Sequence, residues 1–112
     1  MSAYVPDRGD LVWLEFDPQA GHEQAGHRPA LVLSPRRYNG PSGLMLCCPI
    51  TTRIKGYPFE VALVDERGVP SVVLADQVKS LDWRARGARR KGRAPQPVIG
   101  EALGKLGALL VE

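Results

Sequence analysis

The nine residues Gly21-His-Glu-Gln-Ala-Gly-His-Arg-Pro29 hold two imidazoles, a carboxylate, an amide and a guanidinium. His22, Glu23 and His27 can serve as acid or base, Gln24 can orient a polar group, and Arg28 can stabilise an anion. Gly21 and Gly26 give the backbone freedom to fold this stretch over a surface, and Pro29 biases Arg28 toward an extended conformation. The alternative reading is a solvated turn whose polar side chains only face water.

A second concentration of chemistry is cationic. Lys79 to Arg93 carries seven Lys/Arg against one Asp, and Lys55 adds to the set. Such a run is commonly a solvated face. Here Trp83-Arg-Ala-Arg-Gly-Ala-Arg-Arg-Lys-Gly92 interleaves an aromatic with guanidiniums, the combination that holds single-stranded nucleic acid by stacking and phosphate pairing. Other chemistries are excluded by spacing. His22 and His27 lack further His or Cys partners for a metal, Ser34 and Ser80 lack nucleophile-elbow glycines, and no Gly-rich phosphate loop opens a helix.

These groups must be positioned by one small domain, 1–112, because 112 residues build one core but not two. The composition, 44% hydrophobic and 24% charged with net charge +3, is that of a folded protein with a lean toward anionic partners. Cys47 and Cys48 are strand neighbours pointing to opposite faces, so neither a disulfide nor a zinc site is expected. With no signal peptide and no membrane-spanning run, the expectation is a cytoplasmic protein without membrane association.

Apolar and β-branched runs predict strands at 10–16, where positions on both faces are apolar and Trp13 is core, and at 30–34, 44–50, 59–64 and 71–78. Residues 36–43, with Asn39-Gly40 inside, read as a long hairpin loop. Val98, Ile99, Ala102, Leu103, Leu106, Leu109 and Leu110 recur at helical spacing; three glycines weaken this helix but allow close packing. The expected architecture is mainly β with a C-terminal helix, a small and strongly bent barrel.

Four stretches in order, Gly21 to Pro29, Lys55-Gly-Tyr-Pro-Phe-Glu-Val61, Ala75-Asp-Gln-Val-Lys-Ser80 and Trp83-Arg-Ala-Arg-Gly87, resemble the MazF toxins of bacterial toxin–antitoxin systems (MazF/PemK/Kid-like). The likeness runs from Tyr4 through the last helix. It implies a homodimeric SH3-like barrel that cleaves single-stranded RNA with no metal or other cofactor. It also implies silencing by a MazE-like antitoxin whose acidic tail lies across the basic groove. By motif position, the resemblance gives Arg28 and Thr51 as the catalytic pair and Glu23 as a functionally important acid. His22, Gln24, Lys55, Asp76, Gln77, Lys79, Arg84 and Arg86 become the implied RNA contacts. Kid toxins have a histidine where His22 stands and a catalytic aspartate where Asp76 stands, but an arginine where this chain has Leu74. Kid's acid therefore cannot be transferred.

The residues suit that chemistry on their own terms. RNA can be cut by its own 2′-hydroxyl, so an enzyme needs a base, an acid and donors for charge growing on phosphorus. Arg28 and Thr51 suit the charge, and Glu23 or His27 is the candidate base. The competing reading is a non-catalytic toxin of the same fold, like the CcdB toxins that bind DNA gyrase through a Trp-bearing C-terminal helix. Leu109-Leu-Val-Glu112 carries no aromatic, which argues against it.

Overall fold

The computed structural model describes residues 3–15, 27–65 and 67–111. His22, Glu23 and Gln24, and with them most of the Gly21 to Pro29 stretch, lie outside the described residues.

Among the described residues seven strands, β1 (Asp10–Leu14), β2 (Arg28–Val32), β3 (Leu44–Thr51), β4 (Glu60–Val64), β5 (Pro70–Leu74), β6 (Lys79–Asp82) and β7 (Arg89–Arg93), form one antiparallel, curled sheet. Its order is β4-β5-β3-β2-β1-β7, with β6 also pairing β3. β3 is the pivot. Its first half pairs β6 up to Cys47–Lys79, and its end pairs β5 from Ile50–Val73 onward. Pro49, which has no N–H to donate, sits where the partner changes and the sheet turns its corner.

The three central strands are buried on both faces, as the apolar run at 10–14 requires. Where the chain length led to an expectation of a single core, the sheet separates two: Leu11, Leu31 and Cys48 join one with Val61, Val73, Ile99 and Ala102, and Val12, Ala30, Val32, Met45 and Cys47 join a second with Leu81 and Trp83. Cys47 and Cys48 thus point into different cores, and burial pushes each thiol up to about 12.

Several elements differ from the sequence expectation. Residues 36–42 are not a loop but a short helix, α1 (Arg36–Ser42). The Asn39-Gly40 turn signal is overridden because Asn39 is fully buried: its Nδ2 donates to Pro6 O (2.8 Å) and Ser34 O (2.9 Å), while its Oδ1 accepts from Ser34 Oγ (2.6 Å). The expected strand at 71–78 stops at Leu74, where Gln77 N–H returns to Leu74 O and Ala75 N–H crosses to Phe59 O. The basic run, expected as surface without assigned structure, supplies β6 and β7. Among the described residues the sheet ends at β7, and a row of Lys and Arg is suited to such an edge.

The C-terminal helix α2 (Gln96–Leu110) packs Ile99 and Ala102 into the first core. Its glycines do not serve close packing among the described residues of this chain. A Cβ at Gly100, Gly104 or Gly107 would meet nothing within 4 Å. Leu109 and Leu110 remain exposed, so only part of the periodic apolar stripe is used within the chain. Gly9 is the position where a side chain is excluded: φ is +95°, and a Cβ there would stand 2.6 Å from Ile99 Cδ1.

Candidate active site

The cleft that concerns function opens at the C-terminal end of β3 and is lined by Arg28, Thr51, Arg53, Lys55, Tyr57, Glu60, Leu74 and Gln77, with Pro49 and Ile50 in its wall. Strand pairing puts the first two together. Ala30 pairs with Pro49, and two steps outward along each antiparallel strand, on the face that step of two restores, stand Arg28 and Thr51. Arg28 is exposed as the first residue of β2, held there by β1 through the Leu14–Arg28 pair.

Thr51 ends β3, and its Oγ1 accepts the Arg53 N–H at 3.1 Å. That bond orients the hydroxyl and leaves its proton to donate elsewhere. The following loop is braced from below. Lys55 N–H donates to Glu60 Oε2 (3.0 Å) and Gly56 N–H to Glu60 Oε1 (2.9 Å). The Lys55 N–H, followed by the Gly56 N–H, holds the Glu60 carboxyl below the usual carboxylate range. Tyr57 Oη donates to Asp76 Oδ2 at 2.8 Å, and the Lys105 ammonium reaches Pro58 O. Arg53 and Lys55 are thereby presented beside Arg28 and Thr51. A cleft with three cations and an oriented hydroxyl can hold a phosphodiester and stabilise added negative charge on it.

Of the residues singled out in sequence, Arg28, Thr51, Lys55 and Gln77 meet in this cleft. Asp76 does not line it but accepts the Tyr57 hydroxyl. His27 is exposed next to Arg28, outside the lining. Lys79, Arg84 and Arg86 are not brought to the cleft. Lys79 begins β6, and the Trp83–Gly87 turn follows Asp82, which pairs with Leu44 at the far end of β3, roughly 23 Å along the strand from Thr51.

Trp83 is no stacking platform: it is 4% exposed in the second core and its Nε1 donates to Asn39 O at 2.9 Å. Arg84 lies over its ring at 4.5 Å. Trp13, expected as core, is instead half-buried in a groove with Pro29, Leu63 and Arg67, with Lys91 Nζ 5.2 Å from its ring centroid. Sequence reasoning missed Arg53, Tyr57 and Glu60 as site residues. The signal was present, since Lys55 to Val61 was already one of the four motifs, but the roles of Tyr57 and Glu60 depend on contacts across the turn.

A small curled β-barrel with a cationic, aromatic-bearing cleft at one strand end is the class of protein these features define. The chain belongs to the PemK-like, MazF-like toxin family of type II toxin–antitoxin systems, whose family model matches residues 7–110. It is 62% identical over 92 residues, 82% of each chain, to the endoribonuclease toxin MazF of Escherichia coli K12. Its fold superposes on the crystal structure of MazF from Deinococcus radiodurans with a TM-score of 0.86 at 62% identity, covering 98% of this chain and 100% of that one. It is also similar to a MazE–MazF structure from the same organism, with a TM-score of 0.85 at 56% identity, covering 97% and 98%. Among the described residues no helix is long and apolar enough to cross a membrane.

Proposed function

We propose that this chain is an endoribonuclease toxin that cuts single-stranded RNA at the Arg28–Thr51 cleft and is neutralised by a MazE-like antitoxin. The observation that carries the reading is the convergence of Arg28, Thr51, Arg53 and Lys55 on one cleft at the end of β3. The substrate's 2′-oxygen attacks the adjacent phosphorus as its proton passes to a base. The P–O5′ bond then breaks and the departing O5′ takes a proton, leaving a 2′,3′-cyclic phosphate and a 5′-hydroxyl. Arg28 meets the growing charge with its fork of donors, Thr51 Oγ1 donates to a non-bridging oxygen, and Arg53 and Lys55 hold the strand's phosphates. Glu23 or His27 is the base. No step calls for a metal, because the nucleophile is the substrate's own hydroxyl.

The same reading places the toxin in the cytoplasm, where messenger RNA is, and as a homodimer, since Leu109, Leu110 and Val111 leave apolar surface uncovered within one chain. Incubation of purified protein with RNA in excess EDTA, followed by mapping of 5′ ends, tests the activity. Cleavage at short sequences with 5′-hydroxyl ends is expected. Activity abolished by EDTA and restored by a divalent ion would overturn the mechanism. Gyrase inhibition without RNA cleavage would instead favour the CcdB-like reading.

A further inference from the structure

In the reading that makes this cleft a nuclease site, the Kid-like precedent would make Asp76 an acid–base group. The geometry points elsewhere: we infer that Asp76 is a positioning residue whose carboxylate locks the Tyr57 ring into the cleft as the platform on which one base of a single-stranded RNA stacks. Asp76 Oδ1 is enclosed and has no hydrogen-bond partner, and Oδ2 takes the Tyr57 hydroxyl at 2.8 Å. Oδ1 is therefore closed to a substrate lying in the cleft and Oδ2 is engaged by Tyr57; the cleft's lining includes Tyr57 and the chain neighbour Gln77 but not Asp76 itself.

Tyr57 is 40% exposed and stands among Arg53, Lys55 and Gln77, the pairing of π-face and cations that holds an unstacked base and its phosphate. With Trp83 in the core, Tyr57 is the aromatic among the described residues that line the cleft. The ring cannot swing freely. Its backbone is fixed one turn on by Glu60, which gathers the Lys55 and Gly56 N–H groups, and by Glu60 N–H on Tyr57 O. Its far end is tied to Asp76. An ordered ring loses less entropy when a base lands on it.

The test uses an RNA carrying the mapped cleavage sequence, made uncleavable by a 2′-deoxynucleotide at the scissile position and labelled beside it with fluorescent 2-aminopurine. Wild type should quench the label on binding. Tyr57→Leu should abolish quenching and weaken binding about tenfold, the scale of one base–aromatic stack. Asp76→Asn, whose amide oxygen still accepts from Tyr57, should bind like wild type and keep the wild-type pH profile of kcat on cleavable RNA. Asp76→Ala should raise KM with kcat kept, and should add nothing to Tyr57→Leu in the double variant.

A lost limb of the pH profile or a collapsed kcat in Asp76→Asn would make the carboxylate an acid–base catalyst and overturn the assignment. Full affinity and quenching in Tyr57→Leu would overturn the platform while leaving the nuclease reading intact. If wild type binds no RNA, both fall together.

Discussion

Arg28 and Thr51 stand across from each other at the end of the β2–β3 ladder, two residues beyond the Ala30–Pro49 pair on each strand and facing the same cleft. A guanidinium and a hydroxyl 23 positions apart in the chain are thus fixed to one spot by strand register rather than by loop conformation. Arg28→Ala should lower kcat by on the order of 10²-fold while RNA affinity changes little, because its donors are aimed at charge that develops only in the transition state. Arg28→Lys should rescue poorly, since a point charge lacks the fork. Single-turnover cleavage and binding to uncleavable RNA separate the two quantities.

Thr51 presents a hydroxyl whose oxygen already accepts the Arg53 N–H. Thr51→Ser keeps both roles and should retain most of the activity. Thr51→Val removes the donor and leaves the Arg53 N–H without its acceptor, so kcat should fall by about 10²-fold and the loop carrying Arg53 should loosen. Equal activity in the two variants would show that the hydroxyl takes no part.

The depressed carboxyl of Glu60 makes stability depend on pH in a defined direction. A folded-state pKa below the unfolded one stabilises the fold fully above the ordinary glutamate value, about 4.3, and that stabilisation is lost as pH falls through the lower, folded value. Asp7 acts in the same direction, chiefly through the Arg36 N–H on its Oδ1 at 2.8 Å. Thermal melts should show Tm falling below about pH 4. Glu60→Gln, with no charge to titrate, should make that fall shallower, and an unchanged slope would remove Glu60 from the account.

Cys47 and Cys48 are fully buried in separate cores, and their thiols are pushed up to about 12. Thiolate is the reactive form, so a disulfide reagent at pH 8 should label neither in the native protein and both in denaturant. Rapid native labelling would mean that the cores open far below the global unfolding free energy.

Two glycine substitutions should move stability in opposite directions. Gly9→Ala forces a Cβ onto a backbone with φ +95° and against Ile99, at a conformational cost of about 1–2 kcal/mol plus the clash. Gly104→Ala fills open space on α2 and should stabilise by about 0.5–1 kcal/mol through helix propensity. Urea titration of both variants reads the signs directly.

Patterns that depend on near neighbours were readable from the chain itself. Among the described residues, the apolar positions on both faces of β1, the opposed cysteines and the first part of the helical repeat that starts at Val98 hold in the folded protein, because side-chain periodicity dictates which faces are buried. What only tertiary structure decided depends on partners distant in sequence. Asn39 builds a helix where its dipeptide signals a turn, since its side chain is held by Pro6 and Ser34. Trp83 leaves the basic surface for the core because Asn39 O accepts its N–H from 44 positions away.

The site divides the same way. The Thr51 and Arg28 types were legible as charge-stabilising groups. The loop that joins them in the cleft was not, since Glu60 and Asp76 hold Lys55, Gly56 and Tyr57 through bonds visible only once β4 and the β5–β6 turn are placed. Arg84 and Arg86, neighbours of the cleft in charge pattern alone, fall at the other end of β3 because Leu44 and Asp82 pair there. Sequence proximity gives composition, and strand register decides which charges share a cleft.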